Sequence, residues 1–178
     1  MELEKSNISK EIRKTIIELA HKSKSPHVGS SLSCVDILTV LYFDVLNLQP
    51  WEKRDIFILS KAHAAMSLYS TLATRGIMDK KLLQGYYQNE GTLPAHLDRF
   101  TAKGVEVSAG SLGHGFNMGL GIAFGFKKKD QNRKVYTLIG DGESQEGSIW
   151  EGALFGSKLG LDNFTAIMDY NNLQGYGR

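Results

Sequence analysis

The sequence LIGDGESQEGSIWEGALFGSKLGLDNFTAIMDYNNLQGYGR, residues 138–178, predicts one strand–helix–strand unit. An apolar run ends at Gly-Asp-Gly, residues 148–160 have a helical pattern, and a second apolar run ends at Asn-Asn. This order is typical of parallel strands in an α/β fold. Because ligands of such sheets bind at the carboxyl ends of the strands, Asp141 and Asn171 are expected to face one crevice if the two strands are neighbours.

The rest of the chain continues this alternation of helices and strands. Apolar residues at helical spacing predict helices at 7–22, 34–46, 64–76, 79–90 and, after a glycine-rich turn, in the later part of 105–129. The segment 34–46 is apolar nearly all round and is predicted to be a buried helix. Residues 25–33 are predicted to be a turn-rich break, and 54–60 a short strand. We therefore predict an α/β fold with a mainly parallel sheet and helices on both faces.

Length and composition exclude several classes of protein. The chain has 178 residues, 42% of them hydrophobic and 22% charged, which suits one globular domain. The net charge of +2 gives no support for nucleic-acid binding. No apolar run reaches the roughly 18–20 residues that a membrane span needs. The single cysteine, Cys34, excludes an internal disulfide, and the start of the chain lacks the apolar segment of a secretory signal, so a cytoplasmic protein is expected.

The residues around Asp141 and Asn171 suit a cation that is shared with a phosphate group. One carboxylate and one amide oxygen form an incomplete cage, which fits Mg²⁺ or Ca²⁺ when phosphates and water supply the remaining oxygens. Gly140 and Gly142 would let a ligand approach the backbone closely. The alternative interpretation is that Gly-Asp-Gly is only a turn and that Asn171 and Asn172 form a polar exit from a strand.

Four of the five histidines lie in turns or at the starts of helices, namely His27, His63, His96 and His114. Each of them alone is more often a structural histidine, but four such positions indicate a polar crevice that could be catalytic. Their spacing does not match a zinc site. The segment GSLGHG, residues 110–115, resembles a nucleotide-binding loop, although Gly119, Gly121 and Gly125 in the following helix could serve only close packing.

Taken together, these segments resemble the transketolase family. GDGESQEG followed by DYNNLQ is similar to the thiamine diphosphate signature, in which Asn-Asn follows Gly-Asp-Gly by about 30 residues. SPHVGSSLS, FILSKAHAAMSLYSTLATRG, LPAHLDR and VEVSAGSLGHGFNMGLGIA resemble, in order, further blocks of the family. The resemblance runs from about residue 10 to the end, and the ordered set is far more specific than any single motif. The pattern is most similar to the N-terminal subunit of split transketolases.

The resemblance implies a fold, a cofactor and a reaction. The chain would be a single diphosphate-binding domain, 1–178, incomplete at its carboxyl end and lacking the pyrimidine-binding and C-terminal domains. The implied cofactors are thiamine diphosphate and Mg²⁺, with Ca²⁺ or Mn²⁺ as substitutes. The implied reaction moves a two-carbon ketol unit from a ketose to an aldose. The implied partner is a pyrimidine-domain subunit, in a hetero-oligomer that is a dimer of heterodimers, with sugars or sugar phosphates as substrates.

The resemblance also implies roles for individual residues. The metal ligands would be Asp141 and Asn171 through their side chains and Leu173 through its backbone carbonyl. The residues in contact with the cofactor would be His63, Gly110, Ser111, Leu112, Gly142 and Asn171. The catalytic residues would be His27, His63 and His96, which assist substrate binding and proton transfer, and Glu146, which joins a carboxylate network across the dimer.

Two other functions agree with the same sequence. The chain could serve a related ketol transferase of another pathway, either similar to deoxyxylulose-phosphate synthase or acting on modified sugars. It could also be a truncated domain that binds partner chains and catalyses nothing, since a sheet edge and an apolar face would then be left uncovered. Cofactor binding separates this last function from the other two.

Overall fold

The computed structural model describes residues 2–175 and residue 177, which divide into two compact units. The first unit comprises Met1–Leu46 and Ala62–Ser108, and the second comprises Asn47–Lys61 and Ala109–Arg178. The chain therefore enters the second unit, returns to the first, and ends in the second. Among the described residues, no helix combines the length and the apolar character that crossing a bilayer requires.

The first unit is helical. Its helices are α1 (Glu2–Ser23), α2 (Val28–Ser33), α3 (Val35–Val40) and α4 (Ala65–Thr74). Helix α1 packs against α3 and α4. It does so through an apolar stripe in which Ile12 and Ile16, one helical turn apart, are fully buried. The predicted helices 7–22 and 64–76 are thereby confirmed, and Cys34 is buried as expected.

The prediction for residues 25–33 is wrong in part, because the segment contains α2. Its glycine and serines favour turns, but α2 packs against α1 and α4 and buries Ser31, and this packing outweighs the local preference. The prediction for 79–90 is confirmed only as a short 3₁₀ segment, Lys80–Gly85, which begins at an Asp79 cap.

The prediction of one buried helix over 34–46 is also wrong. Helix α3 is followed by a π-helical turn, Leu41–Val45, and Val40 and Val45 are each 45% exposed. Two acids explain why one side of the segment faces solvent. Asp36 accepts a hydrogen bond from Arg13 at 2.7 Å, and Asp44 accepts one from Lys5 at 2.5 Å. Charged groups of this kind stay near water, so the segment cannot be buried on all sides.

The second unit contains a sheet of three parallel strands in the described part of the chain. The strands are β1 (Ile56–Leu59), β2 (Val135–Gly140) and β3 (Phe164–Asp169), in the order β1-β2-β3. Helix α5 (His114–Lys128) packs on this sheet, and α6 (Gly147–Lys158) packs on α5. Every residue of β1 and β2 is buried, as continuous apolar runs in a parallel sheet require. The predicted α/β class and all three predicted strands are confirmed.

Two glycines of α5 bring the helix close to the sheet. A β-carbon at Gly119 would lie 2.5 Å from the Thr137 hydroxyl, and one at Gly115 would lie 2.7 Å from the Ser60 Cα atom. A β-carbon at Gly121 or Gly125 would meet no atom within 4 Å. Close packing against the sheet therefore explains the glycine at position 119. It does not explain Gly121 or Gly125.

Candidate functional site

The carboxyl ends of β2 and β3 form one wall of a cleft. The two strands are neighbours, with Gly140 paired to Asp169, so the segments that follow them emerge side by side. Asp141, Asn171 and Leu173 line a cleft of about 810 Å³. The three predicted metal ligands are thus brought together in space, as expected for a parallel sheet.

The Asp141 carboxylate is available to a ligand. The residue is half-buried, and its side chain accepts no hydrogen bond from the described part of the chain. Its backbone carbonyl, in contrast, accepts from the backbone N–H of Ser144 at 3.2 Å and from the Ser144 hydroxyl at 2.5 Å. These bonds fix the turn after β2, and the carboxylate lines the cleft without a hydrogen-bond donor from residues 2–175 or 177, which suits a cation.

Asn171 and Leu173 are held in one tight turn. The side-chain oxygen of Asn171 accepts a hydrogen bond from the Leu173 N–H at 2.9 Å, and Asn172 between them has a left-handed φ of +60°. An amide oxygen has two lone pairs, so Asn171 keeps one for another partner. The Leu173 side chain is 66% exposed, and the hydrogen bond to Asn171 is made by the Leu173 backbone. The turn therefore positions the backbone of this residue.

Gly142 creates the room for this turn. A β-carbon at Gly142 would lie 2.9 Å from the Gln174 β-carbon, so only glycine allows the two segments to approach without a shift. Asp141, Asn171 and Leu173 line the same cleft, and the three residues together carry one carboxylate, one side-chain amide and one further backbone carbonyl. That donor set fits Mg²⁺ completed by phosphate oxygens. Among the described residues, no group of three acidic, histidine or cysteine side chains capable of holding a metal is found.

A buried acid that the sequence did not reveal supports the cleft. Glu143 is 2% exposed, and its Oε1 accepts from the Ser60 hydroxyl at 2.5 Å and from the Gly113 N–H at 2.8 Å. Its Oε2 accepts from the Gly140 N–H at 3.2 Å. One carboxylate therefore joins the end of β1, the end of β2 and the start of α5. The nearest sequence signal was an acid directly after Gly-Asp-Gly.

A buried ion pair was also missed. The Lys61 ammonium lies 2.5 Å from the Asp169 carboxylate, and the two side chains are 1% and 8% exposed. The residues are far apart in the sequence, so no local motif could have predicted that they meet.

The predicted cofactor loop and Glu146 are near each other in the second unit. Gly110, Ser111 and Leu112 are exposed and precede Gly113, whose φ is +81°. A β-carbon at Gly113 would lie 3.4 Å from the β-carbon of Glu146, the exposed residue that precedes α6.

An amide fixes this arrangement of the two helix starts. The Asn117 side chain donates to the carbonyls of Gly113 and Ser148 at 2.9 and 3.0 Å. The starts of α5 and α6 are therefore held at a fixed separation.

Three of the predicted catalytic histidines form a cluster in the first unit. The His27 ring lies 5.5 Å from the His63 ring and 5.9 Å from the His96 ring, measured between centroids. Burial lowers the pKa of His27 below its ordinary value, and the charge on His96 lowers it further. His27 is therefore a neutral imidazole at neutral pH, able to accept or donate a hydrogen bond. His114 is exposed at the start of α5, in the second unit.

The parallel sheet, with a cleft lined by Asp141 and Asn171 at the carboxyl ends of its strands, is typical of ligand-binding α/β proteins. Comparison with known proteins identifies the family. A family model described as "Transketolase, thiamine diphosphate binding domain" matches residues 4–178. The chain therefore belongs to this transketolase family.

Several relatives match nearly all of the chain. It is 43% identical to an apulose-4-phosphate transketolase subunit of Actinobacillus succinogenes, covering 97% of this chain and 64% of that protein. It is 39% identical to the 6-deoxy-6-sulfo-D-fructose transketolase subunit SqwG of a Clostridium species, covering 92% and 61%. The transketolase structure from Leishmania mexicana superposes with a TM-score of 0.86 at 26% identity, covering 96% of this chain and 28% of that one. The chain thus spans less than two thirds of the length of these relatives.

Proposed function

We propose that this chain is the diphosphate- and Mg²⁺-binding domain of a thiamine-diphosphate-dependent transketolase. The observation that carries the proposal is the meeting of Asp141, Asn171 and Leu173 at one cleft, in the order of residues that the family resemblance implies. The reaction would transfer a two-carbon ketol unit from a ketose to an aldose. Residues 1–178 would act as a single diphosphate-binding domain.

The chain's own groups divide the work of binding. Asp141, Asn171 and the Leu173 carbonyl would hold Mg²⁺, and the Gly142 N–H would donate to the diphosphate. Bound thiamine diphosphate supplies an electron sink for cleavage of a carbon–carbon bond. Ca²⁺ or Mn²⁺ would fit the same oxygen donors, at the cost of different coordination distances.

The remaining site residues would act on the substrate and on the other parts of the cofactor. The cluster of His27, His63 and His96 would offer imidazole groups for sugar hydroxyls and for proton transfer, with His63 also in contact with the cofactor. The exposed backbone of residues 110–112 would border the aminopyrimidine, and Glu146 would join a carboxylate network with a second copy of the site.

A partner chain with a pyrimidine-binding domain would complete the enzyme. Two of the relatives are named as subunits, which supports a hetero-oligomer, here proposed as a dimer of heterodimers in the cytoplasm. Their names give a sugar phosphate and a sulfo-sugar as substrates, so we propose sugars or sugar phosphates here. Helix α6 exposes three large apolar side chains that suit such a partner: Trp150, Leu154 and Phe155.

Calorimetric titration of the chain, assembled with its partner, with thiamine diphosphate and Mg²⁺ tests the proposal. We expect saturable Mg²⁺-dependent binding in the wild type and loss of at least about tenfold in Mg²⁺ affinity in Asp141→Ala. Glu151→Ala removes an exposed acid of α6 and should bind as the wild type does. A wild-type protein that binds neither ligand, or an Asp141→Ala protein that binds both normally, would refute the proposal.

A further inference from the structure

The buried ion pair between Lys61 and Asp169 lies at the carboxyl ends of the strands, where the proposed cation site begins. Lys61 comes two residues after the end of β1, and Asp169 is the last residue of β3. Their charged atoms are 2.5 Å apart. Neither residue lines the cleft that contains Asp141 and Asn171.

The pair connects the two outer strands across the middle one. In the sheet order β1-β2-β3, the end of β2 lies between the ends of the two strands that lead to these residues, and Gly140 is the β2 residue paired with Asp169. A β-carbon at Gly140 would lie 3.9 Å from the Lys61 Cβ atom and 4.0 Å from its Cδ atom. The aliphatic part of Lys61 therefore crosses over Gly140 on its way to Asp169.

Stability alone is a poor explanation for two charges in this position. Removing both ions from water costs so much that an apolar pair of similar size often stabilises a protein equally well. A charged hydrogen bond differs from an apolar contact because it fixes direction as well as distance. Asp169 stands two residues before Asn171, so whatever fixes Asp169 also fixes the point from which the Asn171–Leu173 turn begins.

We propose that Lys61 and Asp169 are a positioning pair for the cation site. They hold the end of β3 level with the end of β2, so that Asn171 and the Leu173 carbonyl reach the same ion as Asp141. The inference rests on the proposed function, because it concerns the ligands of the same ion. Asp169 itself is engaged by Lys61 and acts through its neighbours.

A matched pair of substitutions at the two ends of β3 tests the inference. Asp169→Asn removes the charge at the carboxyl end and keeps the shape of the side chain. Asp162→Asn is the control, because Asp162 forms an exposed ion pair with Lys127 just before the amino end of the same strand. Both are measured in the complete chain assembled with its partner, by calorimetric titration of Mg²⁺ at saturating thiamine diphosphate.

We expect Asp169→Asn to weaken Mg²⁺ binding by about tenfold or more, as substitutions next to metal ligands do, with the number of binding sites unchanged. Excess Mg²⁺ should restore full cofactor binding. Asp162→Asn should change the affinity less than about twofold, since exposed pairs contribute little. A loss of sites without a loss of affinity would show that the pair only holds the fold, and would overturn the inference.

A second variant guards against a simple failure to fold. Lys61→Met combined with Asp169→Val removes both charges of the pair together, so it should melt near the wild-type temperature and still bind Mg²⁺ about tenfold more weakly. Normal Mg²⁺ affinity in this variant would overturn the inference, and so would failure of both variants to fold. If the wild type binds cofactor and the variants match it, only this inference fails. If the wild type binds none, the proposed function fails and takes the inference with it.

Discussion

At the scale of single residues, Glu143 shows how one side chain organises several backbone segments. It accepts two N–H groups and one hydroxyl, and the Ser60 hydroxyl in turn accepts from the Phe116 N–H at 2.9 Å. The buried charge thus has hydrogen-bond donors on both of its oxygens. The chain uses a carboxylate here because every neighbour is a donor, and only a group with acceptors alone can satisfy all of them.

Glu143→Gln should therefore destabilise the protein although it conserves shape. One end of the amide carries N–H groups, which would face the Gly140 or Gly113 N–H in either orientation. We expect the free energy of unfolding to fall by about 1–3 kcal/mol in urea denaturation. Glu151→Gln on the exposed surface of α6 should change it by less than about 0.5 kcal/mol. Equal effects of the two substitutions would contradict this account of Glu143.

The lowered pKa of His27 predicts a loss of stability in acid. In the unfolded chain, His27 binds a proton below about pH 6.5, whereas in the folded chain it binds that proton only at a lower pH. The free energy of unfolding therefore decreases as the pH is lowered from about 6.5 to the folded pKa. His27 lies against His63 and His96, and His27→Gln removes its titrating ring from this cluster. We therefore expect His27→Gln to lose less stability than the wild type between about pH 7.5 and 5.5 in urea titrations. His21→Gln, on α1, leaves the cluster intact and is measured beside it as the reference substitution. If the free energy of unfolding of His27→Gln depended on pH as it does in the wild type, His27 would not be the source of the loss of stability in acid.

At the scale of elements, the sequence predicted what depends on local pattern and missed what depends on distant neighbours. The strands were predictable because short apolar runs end abruptly in polar or small residues at Ser60, Asp141 and Asn171. The segment 34–46 was mispredicted because hydrophobicity alone does not show that α1 places cations beside its acids. Asp141 and Asn171 were proposed as ligands from their motif, and the structure brings them to one cleft. Glu143 was missed because it acts through partners far along the chain.

Helix α5 offers a direct comparison of two glycines that look alike in the sequence. Gly121→Ala should stabilise the protein by up to about 1 kcal/mol, because the position is open and alanine favours a helix. Gly119→Ala should destabilise it, because the new methyl group would meet Thr137 at 2.5 Å and Phe164 at 3.0 Å. Thermal unfolding of the two variants checks the difference. A melting temperature that rises in both would contradict the close packing of α5 on the sheet.

At the scale of the whole molecule, the exposed apolar residues of α6 predict the surface through which this chain would bind its proposed partner. Leu154 is 75% exposed, so Leu154→Glu should leave the melting temperature of the chain unchanged and weaken assembly with the proposed partner subunit by at least about tenfold. Sedimentation of the mixed chains measures the effect. Lys129→Glu places the same acid at a polar exposed position and should assemble normally. Normal assembly of Leu154→Glu would exclude α6 from the interface.

The order of the strands along the chain has a consequence for synthesis on the ribosome. β1 pairs with β2, yet Ile56 and its partner Val135 are about 80 residues apart, so at about 5–20 residues per second β1 waits several seconds for its neighbour. During that interval four consecutive apolar residues, Ile56–Leu59, have no strand to pair with. The nascent chain is therefore a candidate substrate for chaperones that bind short apolar segments, and slower translation would lengthen its exposure.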